Sequence, residues 1–344
     1  MEKVDLRSLT YTQLEELVIR AGEKKFRASQ VFSWLHEKGV SSIEEMTNLS
    51  KAFRETLSQL ATIARVDIME KYVSKKDGTV KYLMRLTDGE CIETVVMQYH
   101  HGLTICISSQ VGCRMGCRFC ASTLGGKKRD LLAGEMLGQI LSAQADIGKR
   151  ISNIVMMGIG EPLDNFDNVR TFLELVNDER GLNIGYRHIS LSTCGLVHGI
   201  AKLAEMNIPI TLSISLHAPN DAIRTGMMPV NKAHNIETLL KACRDYQRVT
   251  GRRISFEYAM CDGVNDSAEN ALELAKRLSG MLCHVNLIPV NNVKERNYRK
   301  SKKETIEKFI EILAKNGITA TVRRELGSDI SASCGQLRQK TLEA

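Results

Sequence analysis

The sequence has no apolar run long enough to cross a bilayer, since its longest apolar stretches, such as ISNIVMMGIG, have only the length of strands. It also has no low-complexity tract and no internal repeat, which excludes a repeat array. The N-terminus, MEKVDLRSLTYTQLEEL, lacks the apolar core of a signal peptide. We therefore expect a cytoplasmic protein without a membrane partner, in which thiols stay reduced.

What is present describes a folded chain of 344 residues, of which 43% are hydrophobic and 25% charged. Its ten cysteines are not expected to form a disulfide framework in a reducing compartment. Four of them stand in apolar strand-like or helical contexts and are interpreted as core residues: Cys91, Cys243, Cys261 and Cys283. The net charge of +7 is compatible with a nucleic-acid partner but does not demand one.

The pattern along the chain predicts four segments. Residues 1–62 favour helices with short links, and residues 63–98 favour a β-meander linker with turns at Asp77-Gly78 and Asp88-Gly89. From residue 99 to 330, strands and helices alternate as six βα units, and residues 331–344 form a tail. This alternation predicts an α/β fold, a parallel sheet closed or partly closed into a (βα)6 barrel.

Unusual polar motifs stand at or just after five of the predicted barrel strands. These strands are followed by the GCRMGCRFC segment, by GIGEP, by STCG, by SLHAP and by PVNN. Active sites of such barrels lie at the carboxyl ends of the strands. We therefore expect these motifs to meet on one face.

The first of these motifs spaces Cys113, Cys117 and Cys120 as C-x3-C-x2-C. A closed zinc site needs four ligands, so this triplet is one short. A four-iron cluster held by three thiolates would leave one iron open for chemistry. The alternative is a zinc site that takes Cys106, His100 or His101 as its fourth ligand.

This spacing, directly after a first barrel strand, resembles the radical S-adenosylmethionine superfamily. The resemblance implies one 4Fe-4S cluster with three cysteine ligands, whose free iron binds the amino and carboxylate groups of S-adenosylmethionine. It also implies that Gly160 and Glu161 of GIGEP hold the ammonium of that cofactor. Further cofactor contacts implied by the resemblance are Ser192, Ser215, Leu216, His217 and Asn291.

Four ordered segments narrow the resemblance: CIETVVM with Glu93, TICISSQVGC with Cys106, GIGEPLDN, and SCGQL with Cys334. Together they resemble the RlmN family over essentially the whole chain. The family implies methylation of C2 of adenosine in 23S ribosomal RNA, in the peptidyl-transferase region, and in tRNA, next to the anticodon. The N-terminal module resembles the RNA-binding accessory domain of that family.

The resemblance also implies a mechanism for adenine C2, which is too electron-poor to attack a sulfonium methyl group. One S-adenosylmethionine methylates Cys334, and a second yields a 5′-deoxyadenosyl radical that activates this methyl group. The methylene radical adds to C2 and ties the RNA covalently to the protein. Glu93 accepts the C2 proton, and Cys106 releases the RNA, leaving a transient Cys106–Cys334 disulfide. The alternative for Glu93 is a solvent-facing strand residue.

The expected partners are 23S rRNA, tRNA and an electron donor such as flavodoxin or ferredoxin, and we expect a monomer. Two basic runs stand where they could meet phosphates, Lys127-Lys128-Arg129 and Arg323-Arg324. Two other functions compete with C2 methylation. One is methylation at C8 of the same rRNA adenosine, as in the Cfr methyltransferase, and the other is a zinc-stapled RNA-binding protein without catalysis.

Overall fold

The computed structural model describes residues 3–291 and 293–338, and it confirms the predicted α/β class. The strands within these residues are β1 Val4–Asp5, β2 Ala61–Thr62, β3 Val66–Val73, β4 Val80–Leu86, β5 Cys91–Tyr99, β6 Gly102–Cys106, β7 Gln110–Gly112, β8 Lys127–Asp130, β9 Asn153–Met156, β10 Ile189–Thr193, β11 Thr211–Ser215, β12 Ile254–Met260, β13 Cys283–Pro289 and β14 Ala320–Val322. The α-helices are α1 Tyr11–Arg20, α2 Arg27–His36, α3 Lys51–Leu60, α4 Ala133–Ile147, α5 Phe166–Asn177, α6 Val197–Glu205, α7 Asp221–Met227, α8 Ile236–Thr250, α9 Ala268–Leu278 and α10 Lys303–Lys315.

A single ten-stranded sheet organises the molecule, in the order β14-β13-β12-β11-β10-β9-β6-β5-β4-β3. In this sheet the strands β6, β9, β10, β11, β12, β13 and β14 pair in parallel in that order, and helices connect them along the chain. The sheet does not close on itself, because β14 and β3 are its two edges. The barrel is therefore partial, and all its carboxyl strand ends lie on one side.

The meander expected as a linker is part of this sheet. Strands β3, β4 and β5 pair antiparallel in succession, and β5 pairs antiparallel with the first barrel strand, placing Val95 opposite Cys106. Of β5, the residues from Cys91 to Met97 are all buried, including the polar Glu93 and Thr94. Both faces of β5 are thus covered by other parts of the chain.

The N-terminal helices share one hydrophobic core with the barrel. Arg7 fastens this junction, because its buried guanidinium donates hydrogen bonds to the carbonyl oxygens of Ala64, at 2.8 Å, and Val40, at 2.6 Å. The absence of a side chain at Gly138 of α4 matters here, since a Cβ would lie 2.5 Å from Val66 Cγ2. None of the helices in the described part of the chain is long and apolar enough to span a membrane.

His36, the last residue of α2, is buried without a hydrogen-bond partner for either ring nitrogen. Its ring packs on Phe32, with 4.2 Å between centroids, and its Cβ lies where a side chain at Gly181 would collide. Burial and, to a smaller extent, the cation of Arg7 lower the pKa of His36 to about 3, whereas Asp178 acts in the opposite direction. His36 is therefore neutral in the folded protein.

The burial of His36 predicts acid destabilisation. Unfolding restores an ordinary imidazole, so the unfolded state binds a proton below about pH 6.5 that the folded state refuses until about pH 3. Stability should therefore fall by about 1.4 kcal/mol per pH unit for this group as the pH drops through that window. The substitution His36→Leu keeps an apolar contact and should flatten the dependence. Urea unfolding of both proteins at neutral and acidic pH measures the difference, and equal acid losses in the two would contradict it.

Candidate active site

A cavity opens at the carboxyl ends of the barrel strands, where the polar motifs were expected to meet. Ten of the predicted site residues line it: Cys113, Cys117, Cys120, Gly160, Glu161, Ser192, Ser215, His217, Asn291 and Cys334. Leu216 is fully buried in the core and is not among the lining residues; its N–H donates to the carbonyl of Glu257, and its carbonyl accepts from Arg224 Nε, each at 3.1 Å. The predicted convergence of motifs is therefore observed.

The three motif cysteines lie on a loop between the hairpin strands β7 and β8. The N–H of Cys113 donates to the carbonyl of Gly126 at 2.9 Å, which closes the base of the loop. Inside the loop, the hydroxyl of Thr123 donates to the carbonyls of Cys117, at 3.1 Å, and Cys120, at 3.0 Å. These bonds hold the backbone so that the sulfurs can face the cavity.

Asp164 of GEPLDN ties this loop to the next motif, a role that the sequence analysis did not assign. Its nearly buried carboxylate accepts hydrogen bonds from Gln110 Nε2 and Lys127 Nζ, each at 2.9 Å, and from Arg114 Nε at 3.1 Å. Burial acts to raise the pKa of Asp164, but these donors outweigh it and hold the pKa below its usual value. Local sequence gives no signal for this role, because the donors to Asp164 stand 37 to 54 residues earlier in the chain.

The donor set around the cavity fits a polynuclear cluster better than a single zinc ion. Across residues 3–291 and 293–338, no three cysteine, histidine or carboxylate side chains converge closely enough to bind one metal ion. A four-iron cluster takes one thiolate per iron, so its ligands lie farther apart than those of zinc. All ten cysteines are free thiols, and five of them line this cavity: the three motif cysteines, Cys194 and Cys334.

The Gly160-Glu161 step forms a tight wall of the cavity. Gly160 has φ +109°, and a Cβ there would lie 2.7 Å from Gln110 Cβ and 2.8 Å from Ser109 Oγ. The carboxylate of Glu161 is buried and accepts backbone hydrogen bonds from Cys194, at 2.7 Å, and Leu163, at 3.0 Å. Burial raises the pKa of the Glu161 carboxyl.

His217 presents one defined tautomer to the cavity. Its Nδ1 accepts a hydrogen bond from the N–H of Ala259 at 2.9 Å, so a neutral ring carries its proton on Nε2. Burial lowers the pKa of His217 to about 3, with a smaller contribution from Arg224. The residue also adopts φ +57°, a conformation that is rare for side-chain-bearing residues and that re-aims the chain after β11. The imidazole is therefore a hydrogen-bond donor that does not ionise at neutral pH.

The tail that carries Cys334 covers one side of the cavity. Asn291 Nδ2 donates to the carbonyl of Cys334 at 2.9 Å, the N–H of Ala121 donates to the carbonyl of Gly335 at 2.8 Å, and Ser122 Oγ donates to the carbonyl of Leu337 at 2.7 Å. Asn291, predicted as a cofactor contact, is thus a tail contact in this structure. The tail is fastened directly to the cysteine loop.

Cys334 lines a second, adjoining cavity together with Cys106. Cys106 is the last residue of β6 and is only 8% exposed. Burial raises the pKa of its thiol to about 12, while the cation of Arg323 opposes that rise. The two cysteines predicted to form a transient disulfide therefore share one small space, although they are 228 positions apart in the chain.

Glu93 is not solvent-facing, so that alternative is wrong. The side chain is 1% exposed, and Oε1 lies 3.2 Å from Nζ of Lys81, which is itself buried. Oε2 accepts a hydrogen bond at 2.8 Å from the N–H of Arg338 in the tail. Glu93 stands on the same face of β5 as Val95 and Met97, which line the second cavity.

The basic run Lys127-Lys128-Arg129 is engaged within the protein. Lys127 pairs with Asp130 and Asp164, Lys128 pairs with Glu90, and Arg129 pairs with Asp88 and Glu135, at N···O distances of 2.6–2.9 Å. These cations brace the hairpin that carries the cysteine loop. Arg323 of the other basic run lines both cavities, whereas its neighbour Arg324 is exposed.

Comparisons with known proteins find relatives of both the N-terminal helical module and the barrel. The family model described as "Ribosomal RNA large subunit methyltransferase N-terminal domain" matches residues 4–63, and the model of the Radical SAM superfamily matches residues 107–275. Among curated proteins, a "Probable dual-specificity RNA methyltransferase RlmN" from Alkaliphilus oremlandii is 58% identical, covering 100% of both chains. A protein of the same name from Clostridium novyi is 54% identical, covering 96% of this chain and 97% of its own.

Among solved structures, the crystal structure of a radical SAM methyltransferase from Sphaerobacter thermophilus matches with a TM-score of 0.92. It is 42% identical and covers 97% of this chain and 99% of its own. The likeness therefore extends over the N-terminal module, the meander and the barrel together.

The tight wall at Gly160 predicts a position-specific cost for an added methyl group. Gly160→Ala should destabilise the fold by about 1 to 3 kcal/mol, because alanine must adopt positive φ and displace Gln110. The control is Gly226→Ala in α7, where a Cβ meets open space. That variant should be neutral or more stable by about 0.5 kcal/mol. Calorimetric melting temperatures of the two variants distinguish them, and an unshifted Gly160→Ala melt would contradict the tight wall.

Proposed function

The chain belongs to the RlmN family of dual-specificity RNA methyltransferases, and we propose that it methylates C2 of adenosine in 23S rRNA and in tRNA. The sites that it acts on would be the peptidyl-transferase region of the rRNA and the adenosine next to the tRNA anticodon. One observation carries the proposal. The cavity lined by the three motif cysteines adjoins a second cavity that Cys106 and Cys334 share.

The Radical SAM domain of the family implies a 4Fe-4S cluster and S-adenosylmethionine. In the proposal, Cys113, Cys117 and Cys120 hold the cluster, because their thiols are free and line one cavity. When bound, this group supplies the electron that cleaves S-adenosylmethionine and generates a carbon radical. Two molecules of S-adenosylmethionine are consumed per methylation: one methylates Cys334, and the other is the source of the radical.

The cavity residues have the polarity to orient a charged cofactor. His217 offers its Nε2–H as a neutral donor, which suits a carboxylate or a ribose oxygen without adding a second positive charge to a sulfonium. Ser192 and Ser215 place their hydroxyls 3.5 Å apart at the ends of neighbouring strands. Gly160 and Glu161 form the opposite wall, with a carboxylate that can accept from an ammonium.

Cys334 is proposed as the methyl acceptor because its half-buried thiol lines both cavities. A thiolate is a competent nucleophile towards a sulfonium methyl group. Cys106, in the second cavity, is proposed as the thiol that later attacks the Cys334 sulfur and frees the RNA. The target base must leave its stack to reach this recess, which costs least in single-stranded loops.

Glu93 is proposed as the acceptor of the C2 proton. Lys81 stands beside it in a buried ion pair and balances its charge without exposing it to water. Its Oε2 bonds to the Arg338 amide, so the base and the Cys334 tail are held together. An electron donor such as flavodoxin or ferredoxin completes the proposed set of partners.

The reaction itself is the direct test. The anaerobically reconstituted protein should convert a defined rRNA fragment to product in the presence of S-adenosylmethionine and a one-electron reductant. Mass spectrometry of the digested RNA should locate the methyl group as 2-methyladenosine, and Cys334→Ala should form none. If 8-methyladenosine alone appeared, the proposed position of methylation would be wrong. If no iron or labile sulfide bound, the proposed cofactor would be wrong.

The proposed role of Cys106 predicts a trapped intermediate. Cys106→Ala should accumulate RNA covalently attached to Cys334, because the other cysteine that lines the second cavity, Cys120, is a proposed cluster ligand and not free to attack that sulfur. Denaturing gels with labelled RNA measure the adduct. The control is Cys283→Ala at the first residue of β13, the strand end opposite the cavities. The role would be excluded by a Cys106→Ala protein that turned over freely without adduct.

A further inference from the structure

Arg323 occupies the boundary between the two cavities. It directly follows β14, and its N–H donates to the carbonyl of Leu287 at 2.8 Å, so the sheet fixes its backbone. Its side chain is 21% exposed and lines the cavity of the motif cysteines as well as the one that Cys106 and Cys334 share. An arginine at this boundary can interact with the thiols of Cys106 and Cys334 and with any ligand bound between them.

The guanidinium has few partners of its own. Among the described residues its polar neighbours are Met157 Sδ, at 3.4 Å from Nη2, and Glu257 Oε2, at 3.7 Å from Nη1. Glu257 already accepts hydrogen bonds from Ser255 Oγ, at 3.0 Å, and Asn286 Nδ2, at 2.7 Å. Since a guanidinium carries five N–H donors, most of the capacity of Arg323 is left for the cavities.

The electrostatic partners of Arg323 are the two thiols. Cys334 contributes most to the raised pKa of Arg323, ahead of Glu257, Cys106 and Tyr99. Conversely, Arg323 opposes the effect of burial on the Cys106 thiol, as does a hydrogen bond from the backbone of Met157. The other ionisable groups that line this second cavity are Tyr99, Cys120, Arg324 and Glu325.

We propose that Arg323 is a positioning residue that stabilises the thiolate of Cys106 for the release of methylated RNA. The inference rests on the proposed function and adds to it a group that the sequence motifs did not assign. Once Cys334 carries the methyl group and then the RNA, its sulfur is neutral, and the guanidinium is left to Cys106.

The release step balances with the groups present. The Cys106 thiolate forms a bond to the Cys334 sulfur, and the bond from that sulfur to the methylene carbon breaks. The electron pair of the broken bond stays on the methylene carbon, which takes up a proton and becomes the methyl group. The two cysteines are oxidised to a disulfide as the carbon is reduced, and a dithiol reductant returns them to thiols.

Thiol reactivity tests the inference without RNA. In the cluster-loaded protein, methyl methanethiosulfonate should modify Cys106 about tenfold more slowly near neutral pH in Arg323→Gln than in wild type, since a neighbouring cation lowers a thiol pKa by about one unit or more. The rate should recover about one pH unit higher, and Arg323→Lys should restore much of it. Peptide mass spectrometry locates the modified cysteine. Arg248→Gln, an exposed α8 arginine, is the charge-matched control.

RNA release gives the second readout. Protein already methylated on Cys334 is mixed with RNA, S-adenosylmethionine and a one-electron reductant, and the covalent adduct is followed on denaturing gels. Arg323→Gln should accumulate adduct that resolves faster as the pH rises. An unchanged pH profile for Cys106 modification would overturn the inference. Normal Cys106 reactivity with weakened S-adenosylmethionine binding would also overturn it, by assigning Arg323 to the cofactor carboxylate. If Cys106→Ala trapped no RNA in an otherwise intact protein, the proposed function would fail instead.

Discussion

The hydrogen bonds that hold the Cys334 tail over the barrel are the constraint on which the site depends. At one end, the carbonyls of Cys334, Gly335 and Leu337 accept from Asn291, Ala121 and Ser122, so the tail is part of the cavity wall. At the other end, the carboxylate of Asp329 accepts from Ser74 Oγ, at 2.7 Å, and from the N–H of Lys75, at 3.0 Å. Up to residue 338, where the described part of the chain ends, the tail forms no strand or α-helix, and these contacts hold it in place.

Burial of charge is the second organising feature. Glu93 with Lys81, and Glu257 with Arg323, place opposite charges within 4 Å of each other on strands that line the same recess. Removing one partner of such a pair would leave a charge without compensation in a low-dielectric recess. The arrangement gives the site a carboxylate and a cation, while burial raises the pKa of the Cys106 thiol.

Much of the architecture follows from local sequence, because its signals are periodic. The predicted alternation of strands and helices is observed from β6 to β14, and the motifs after the strands meet because parallel strands end on one side. The cysteine loop, Gly160 and His217 were found in this way. Their residue types are unusual directly after a strand, which is what made them visible.

What the sequence could not indicate depends on distant partners. A carboxylate in a short strand is ordinarily exposed, yet Glu93 of CIETVVM is buried, because a tail more than 200 residues later covers it. Lys127, Lys128 and Arg129 resemble a phosphate-binding run, but acids from three other segments pair with them. In the sequence, Arg323 cannot be distinguished from an exposed arginine, and only the fold places it at the cavity of the two thiols.

The exposed turn between β3 and β4 anchors the chain directly before the Cys334 tail. Residues 74–77 of this turn contain none of the site motifs, yet they form hydrogen bonds with Asp329 and Gly327, directly before the tail. Adding or removing a residue in this turn would shift the anchor of a cysteine that belongs to the opposite end of the chain. A turn that would ordinarily tolerate insertions and deletions thus determines, by its length, where the sulfur of Cys334 lies.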